Sequence, residues 1–428
     1  MIVGHYPLKP HRLLSPNVSM KLHICKKYDN ASATSVAVYS KHCVMYDSGF
    51  ILAPFMYSPS HPDNQILCTT RFASVMKPQP KERAVEYFDF ACKLIEKIFT
   101  PPLQSDEVTV SQSLQDSNYS KGRKITLRNE FEQMCNLGSD TQRNKSHVKL
   151  EQYLPSKGVL KVPRGINSYT DMSKAFLKRV FHLVDKATFK TKWFVKGCNP
   201  IDRPALMREL FGQSRIMNTD FSSFEAHHSG VYAKVVHHWA MHMTRNMDLG
   251  GSARRYISRM MLGTNVCEFK HLTLRVPQRL MSGALWTSSA NGVLNLTILS
   301  YLCGVAHHVE KFGFEPTTEW LLENHDVYFK GLVEGDDGIF ISQKIDKSLI
   351  NSMGLELDLD EHENFGLASF CGVVCDPDSL DVVIDPIKTL RKIFALPINL
   401  ARAKETKLLS ALRCAALSCK YLAGNSPV

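Results

Sequence analysis

The chain has 428 residues, 44% apolar and 22% charged, a balance that supports a packed core and excludes a disordered or collagen-like polymer. Lys and Arg number 52 against 41 Asp and Glu, and the net charge of +11 favours a polyanionic partner, either nucleic acid or an anionic membrane surface. Twelve cysteines are scattered, most in apolar contexts such as Cys303 and Cys414, which suits reduced, buried thiols in a cytosolic protein with no disulfide-linked partner.

Up to about residue 100, the short β-like runs SVAVYS and GFILAPFMY alternate with Pro and Asn breaks. KERAVEYFDFACKLIEKIF then shows helical spacing, with an apolar stripe of Ala84, Phe88, Ala91, Leu94, Ile95 and Ile98. Gln104 to Lys124 is polar and poorly periodic and reads as a loop or linker. Ser173 to Ala187 is an amphipathic helix with Thr170 and Asp171 as caps. Ser214 to Ala226 reads as a strand ending in a turn, and GVYAKVVHHWAMHMTRNM is the helix after it. From Thr273 the pattern is strand, glycine loop and long helix, and Val327 to Ser342 reads as strand–turn–strand. Lys347 to Ile384 holds one helix and short strands, and the tail is helical except near Pro397. Strands and helices mix without a regular βαβ alternation, so the class is α+β and not a doubly wound sheet.

No apolar run reaches the length of a membrane span. The longest, Asn291 to Glu310, is broken by Asn295, Ser300 and Gly304 and reads as a buried core helix. The amino terminus shows no signal-peptide pattern. Cys371 and Cys375 are too isolated for a zinc site, and the pairs His227–His228, His237–His238 and His307–His308 lie in helical runs without a partner motif.

Four stretches carry chemistry. In VEGDDGIF, Asp336 and Asp337 stand between glycines with β-formers on both sides. Asp-Gly is also an ordinary hairpin turn, so the pair alone decides nothing. Asp220 closes the strand-like run before SSFEA, with Glu225 five residues on; Asp220 either caps the next helix or is a carboxylate for Mg²⁺ at a strand end. Carboxylates from two separate strands can hold two ions about 3.5–4 Å apart, a clamp for an in-line displacement. In SGALWTSSAN, Ser282-Gly283 allows close approach of a backbone or base, and Thr287 and Asn291 share one helix face from which to bond a ribose hydroxyl. From His147 to Ser168, Lys149, Lys157, Lys161 and Arg164 alternate with apolar residues and Pro, projecting charge from an extended, exposed segment onto a triphosphate. The plain alternatives are a helix cap for the third stretch and a solvated loop for the fourth.

In order, VKLEQYLPSKGVLKVPRGIN, DFSSFE, SGALWTSSAN, EGDDG and ASFCGVV resemble motifs F, A, B, C and E of the RNA-dependent RNA polymerases of positive-strand RNA viruses. The nodavirus-like and tombusvirus-like groups are the nearest match, and the resemblance spans Lys149 to about Val374. It implies a right-hand fold with an antiparallel-sheet palm. Residues 1–100 would be an N-terminal extension of unclear role and 101–213 fingers carrying motif F. Residues 214–385 would be palm, with a finger insertion at about 230–275, and 386–428 a small helical thumb.

The implied activity is template-directed RNA synthesis. The RNA 3′-hydroxyl attacks the α-phosphate of an NTP, and pyrophosphate leaves. The implied cofactor is Mg²⁺, with Mn²⁺ as a substitute, held by Asp220 and Asp336 with Asp337 supporting. Glu225 and Asn291, helped by Ser282, Gly283 and Thr287, would read the ribose; Lys149, Lys161 and Arg164 would hold the triphosphate. Phe370, Cys371 and Gly372 would support the primer end. Implied partners are RNA template, nascent RNA and NTPs, with other viral replicase segments or host membrane-bound factors, in the host cytoplasm.

Two departures stand out. No lysine lies between Lys347 and Lys388, where motif D usually offers a proton donor, leaving His362, Lys347 or solvent. Gly292 stands where many relatives carry Thr. The rival readings are a reverse transcriptase, against which Gly335 and Asn291 argue, and a non-catalytic RNA-binding replication factor, against which the intact carboxylates argue.

Overall fold

The computed structural model describes residues 19–22, 37–39, 55–74, 81–102, 110–115, 117, 119–132, 142–151, 153, 162–247, 249–386, 389 and 404–424. The first described elements are strands β1 (Ser19–Leu22), β2 (Ala37–Tyr39) and β3 (Phe55–Tyr57). Helices α1 (Pro62–Phe72), α2 (Lys81–Ile98), α3 (Val110–Gln115) and α4 (Lys121–Glu132) follow. Strands β4 (Gln142–Val148) and β5 (Gly165–Tyr169) lead into α5 (Asp171–Thr188) and α6 (Arg203–Phe211). Next come β6 (Ile216–Phe221), the short α7 (Phe224–His227), α8 (Gly230–Met243), α9 (Gly250–Leu262), β7 (Thr264–Glu268) and β8 (Leu272–Pro277). The long α10 (Thr287–Phe312) precedes α11 (Thr318–Glu323), α12 (His325–Tyr328), β9 (Gly331–Glu334) and β10 (Asp337–Ile341). The chain then runs through α13 (Lys347–Ser352), β11 (Leu357–His362), β12 (Val373–Cys375), β13 (Val382–Ile384) and α14 (Glu405–Ala423).

Two sheets organise these elements. One has the order β1-β8-β7-β4-β5, antiparallel except for the parallel β4–β7 pair. The other, β11-β6-β10-β9, is antiparallel throughout. This mixture bears out the α+β class. Helix α10 packs on the second sheet through β9 and β10, and also against α2, α8, α11 and α12. Contrary to the expectation that no run is long enough, α10 is long and apolar enough to cross a membrane, but 89% of its apolar window is buried inside the fold, which bears out the core-helix reading. Its polar breaks find partners there: Thr297 shares a 2.8 Å hydrogen bond with the Tyr87 hydroxyl, and Ser300 one of 2.9 Å with His325. Helix α5 begins where its cap residue predicts, with the Thr170 side chain accepting from the Ser173 amide, and it buries Phe176, Leu177, Val180, Phe181 and Val184.

Four other expectations are corrected. The buried stripe of α2 is Tyr87, Phe90, Ala91, Leu94 and Ile95, while Ala84, Phe88 and Ile98 lie at its margin. The two large rings, one with a satisfied hydroxyl, rotate the helix toward themselves. The polar stretch at Gln104 to Lys124 is not a plain loop, since α3 and the start of α4 occupy its described part. Leu114 and Leu127 dock there on Ala175 of α5, and Arg123 forms a forked ion pair with Asp171. Val327 and Tyr328 belong to a helical turn and not to a strand. The buried His325, bonded to Ser300, and the Tyr328 hydroxyl, donating to Leu321 O at 2.9 Å, hold that turn against local β propensity. Cys414 is exposed, because α14 buries none of its residues. The bend at Pro397 lies outside the described residues.

The paired histidines serve the packing. His237 bonds Ser258, His238 pairs with Glu96 at 3.0 Å, and His308 bonds Phe314 O at 2.7 Å.

Helix α5 is tied to the start of α10 by the Ser289 hydroxyl, which donates to Asp185 at 2.5 Å. Burial raises the Asp185 carboxyl to about 6, only partly opposed by that bond and by Lys178 and Lys196. A carboxyl whose folded pKa lies above its unfolded one binds more protons in the native state, so stability falls as pH rises from about 4 to about 6. Asp185→Asn keeps the acceptor and removes that penalty. It is expected to raise stability by about 1–2 kcal/mol at pH 7.5, discounting for partial exposure, and to flatten Tm between pH 4 and 6.5. Thermal melts across that range check this.

Candidate active site

The acidic turn sits between β9 and β10. Glu334 and Asp337 pair across it, leaving Gly335 and Asp336 as a two-residue loop. Gly335 has φ +61°, a left-handed backbone that glycine adopts without a Cβ penalty. Leu332, Val333, Ile339 and Phe340 are buried in the flanking strands, so the hairpin is fixed by its core.

Register brings the carboxylates together. In the β6–β10 ladder, Ile341 faces Ile216 and Ile339 faces Asn218; continued two residues, the same register sets Asp337 across from Asp220. On the other edge of β6, Asp358 of β11 is paired with Asp220. Directly opposed residues of an antiparallel pair share a face, about 4.5–5.5 Å apart. Asp358, Asp220 and Asp337 therefore line one face, with Asp336 at the adjoining tip.

Two residues that the sequence reading did not assign to the site clamp this tip. The Asn295 amide of α10 donates to Gly335 O at 3.2 Å and Asp336 O at 3.1 Å. The Thr219 hydroxyl of β6 donates to Asp336 O at 3.2 Å. Gly338 lets α10 approach closely: a Cβ there would stand 2.8 Å from Leu299 Cδ1. The available signal for Asn295 was its place one turn beyond Asn291 in an apolar helix, where a buried amide must find partners.

The Asp336 carboxyl is held above its ordinary range, first by desolvation from the surrounding atoms and then by the charge of Glu225. Its own backbone amide, Arg164 and Arg71 oppose this only in part. Glu225 sits on α7, where Phe224 stacks with His227 and meets Phe221 edge to face. The His227 ring accepts from the Glu356 amide at 3.0 Å, and the preceding Ser223 takes a left-handed φ of 60° that a non-glycine residue rarely adopts. Glu225 is thus presented from a braced turn.

Asn291 lies beside the buried His228, whose pKa burial lowers to about 3, with the Asn291 side chain opposing that shift by a hydrogen-bonding contact to the ring. Ser282 and Thr287 spend their hydroxyl protons on the chain: Ser282 donates to Gly165 O at 2.9 Å, and Thr287 to Ala284 O at 2.8 Å. Each keeps lone pairs to accept with. Gly283 is pressed on β5, donating to Asn167 O at 3.1 Å, and a Cβ there would meet that oxygen at 2.6 Å.

Lys149 and Arg164 converge on Glu151, at 2.8 Å and 3.8 Å, and the Tyr153 hydroxyl joins them by donating to Glu151 at 2.6 Å. Arg164 is near enough for its charge to act on Asp336. Lys157 and Lys161 lie outside the described residues. The turn at Phe370–Gly372 reaches the same region: the Cys371 thiol is raised first by burial and then by the charges of Asp337 and Glu334.

Residues 169–357 match the family model of viral RNA-dependent RNA polymerases. The chain carries a viral RNA-dependent RNA polymerase domain. It is therefore a nucleotidyltransferase, and no curated protein matches it. The matched segment contains Asp220, Glu225, Ser282, Gly283, Thr287, Asn291, Asp336 and Asp337, whereas Lys149 and Arg164 precede it.

Polymerases of this family use divalent metal ions. Among the described residues, no three His, Cys, Asp or Glu side chains form a ready-made cage. Magnesium does not need one, since it takes one or two carboxylates and completes its shell with waters and phosphates. Asp336, raised first by desolvation and then by the charge of Glu225, fits such a cation.

Both departures acquire a geometry in the polymerase. His362 pairs with Ile216, at the far end of β6 from Asp220, and its ring bonds the Asn218 side chain at 2.5 Å. The His362 backbone is four strand steps from Asp220, about 13 Å, while its ring reaches back to Asn218, two residues from Asp220, and is engaged there. Lys347 is nearer: its Nζ lies 3.7 Å from Asp358, the residue paired with Asp220. At Gly292, a Cβ would stand 2.5 Å from Phe194 Cε1, so the Phe194 ring occupies the space of a side chain. Gly292→Thr is expected to overpack this contact and destabilise the polymerase by about 1–3 kcal/mol, and denaturant unfolding measures it.

Proposed function

We propose that this polymerase copies an RNA template by adding NTPs to an RNA 3′-hydroxyl with release of pyrophosphate, and that its relatives are nodavirus-like and tombusvirus-like enzymes. The observation that carries this is the register that ranges Asp220 and Asp337 on one face beside Asp336. Divalent ions held by Asp220 and Asp336, Mg²⁺ or in its place Mn²⁺, would supply Lewis-acid stabilisation of the attacking and leaving oxygens. Asp337 supports the pair. Glu225 and Asn291, whose amide oxygen keeps a lone pair beyond its contact with His228, accept from the ribose hydroxyls, with Ser282, Gly283 and Thr287 shaping the approach. Lys149, Lys161 and Arg164 neutralise the triphosphate, and Lys347, through its contact with Asp358, is a candidate to give the departing pyrophosphate a proton, with solvent as the alternative.

The architecture that goes with this reading is a right hand. Its palm is residues 214–385 with an insertion at about 230–275, its fingers 101–213 and its small thumb 386–428. The enzyme works on template and nascent RNA in the host cytoplasm, tethered to membranes through other replicase segments or host factors. Incubation with an RNA template, Mg²⁺ and either rNTPs or dNTPs tests the reading. Template-dependent incorporation of rNTPs is expected; preference for dNTPs would make it a reverse transcriptase, and binding without incorporation would leave an RNA-binding factor.

A further inference from the structure

Helix α1 precedes the matched segment, and its last turn carries Arg71. The helix packs against α7, which presents Glu225, and against β4, β5 and β8. Arg71 Nε stands 4.0 Å from Glu225 Oε1, with the two side chains 27% and 22% exposed. That nitrogen is buried and makes no hydrogen bond.

This end of α1 is held in place by another arginine. Arg279 is 5% exposed and donates from Nε to Phe72 O at 2.9 Å and from a terminal nitrogen to Ser74 O at 3.3 Å. Burial lowers its pKa only to about 10, so it stays a cation, which is the favourable charge at a helix C-terminus. Arg279 lies in the loop that continues to Ser282 and Gly283, and Gly165 of β5 approaches Cys68 of α1 closely enough that a Cβ would meet its sulfur at 3.3 Å. The backbone carrying Arg71 is thus fixed to the loop and strand that surround the ribose-reading residues.

Stability does not account for a cation here. A half-shielded pair at 4.0 Å without a hydrogen bond contributes little net free energy once desolvation is counted. Its electrostatic reach does fit a site: the Arg71 charge acts on Glu225, on Asp336 and on Tyr153. We propose that Arg71 is a positioning residue that holds the Glu225 carboxylate in the orientation that accepts the ribose hydroxyls of the incoming nucleotide. The N-terminal segment is then a working part of the catalytic centre. This rests on the reading of Glu225 as a ribose acceptor.

The test is single-nucleotide incorporation by the full chain, comparing kcat/KM for an rNTP and the matching 2′-dNTP. Arg71→Gln is expected to lower the ribose-to-deoxyribose ratio about tenfold, chiefly through the rNTP, and Arg71→Lys to restore most of it by returning the charge. Arg71→Met, which keeps the aliphatic stem, replaces Arg71→Gln should that variant fail to fold. In a Glu225→Gln background the Arg71 change should add nothing further. A ratio within twofold of wild type, or equal losses for both sugars, overturns the proposal. If Glu225→Gln itself leaves the ratio unchanged, the underlying assignment of Glu225 fails instead, and wild-type protein that incorporates no nucleotide removes both.

Discussion

Replacing Asp336 with alanine is expected to lower nucleotide incorporation by at least about 10³-fold while leaving the fold intact. The size follows from where the group stands. Asp336 occupies the tip of a hairpin whose register is set by buried Leu332, Val333, Ile339 and Phe340, none of which depends on its side chain. Its carboxyl is raised by desolvation and by Glu225, so the ionised form is held there against a local cost that a bound cation would reverse. On the proposed reading, removing it takes one ligand from the metals; it also relieves the repulsion from Glu225 in the free enzyme, so Tm should stay level or rise slightly at neutral pH. Asp337→Ala should cost less if Asp337 has the supporting role proposed for it. Turnover by Asp336→Ala near the wild-type rate would falsify the metal assignment.

The sequence made the acidic hairpin legible because its signals are local. Gly335 and Gly338 punctuate apolar β-formers, and the pattern predicts the turn without knowledge of the rest. Helices α5 and α10 were legible for the same reason, through a cap at Thr170 and a run too apolar to be exposed. What could not be read was set by partners distant along the chain. Asn295 looked like an interruption in a core helix, and only the arrival of Gly335 and Asp336 beneath it reveals two acceptors. Asp358 carried no motif, yet strand pairing sets it beside Asp220. His362 offered itself as a proton donor by its place in sequence; β11 pairs its backbone with Ile216, and its ring is engaged by the Asn218 side chain. Gly292 looked like a lost hydroxyl; the Phe194 ring shows that the space is filled from elsewhere. Helix α12 failed as a strand because His325 and Tyr328 are satisfied by α10 and α11.

Asn295→Leu should separate stability from activity. The wild-type amide gives two hydrogen bonds to the turn, but its Oδ1 is buried and has no partner. Leucine is of similar volume and removes that unsatisfied acceptor, which offsets the lost donors; the freed carbonyls lie at an exposed tip where water can serve them. Stability is therefore expected to change by less than about 1 kcal/mol, in either direction. Catalysis has no such compensation. Without the amide, Asp336 O keeps the Thr219 hydroxyl as a tether, and Gly335 O loses its side-chain donor. A shift of about 1 Å in reacting groups can cost on the order of 10²-fold in rate, and a fall in kcat of that size is expected with KM for NTPs nearly unchanged. Asn295→Asp should do worse than leucine, because a carboxylate would face two carbonyl oxygens and add charge beside Asp336. Full turnover by Asn295→Leu would mean that β6 and the strand pairing alone orient the acidic tip, and that α10 contributes only its apolar face.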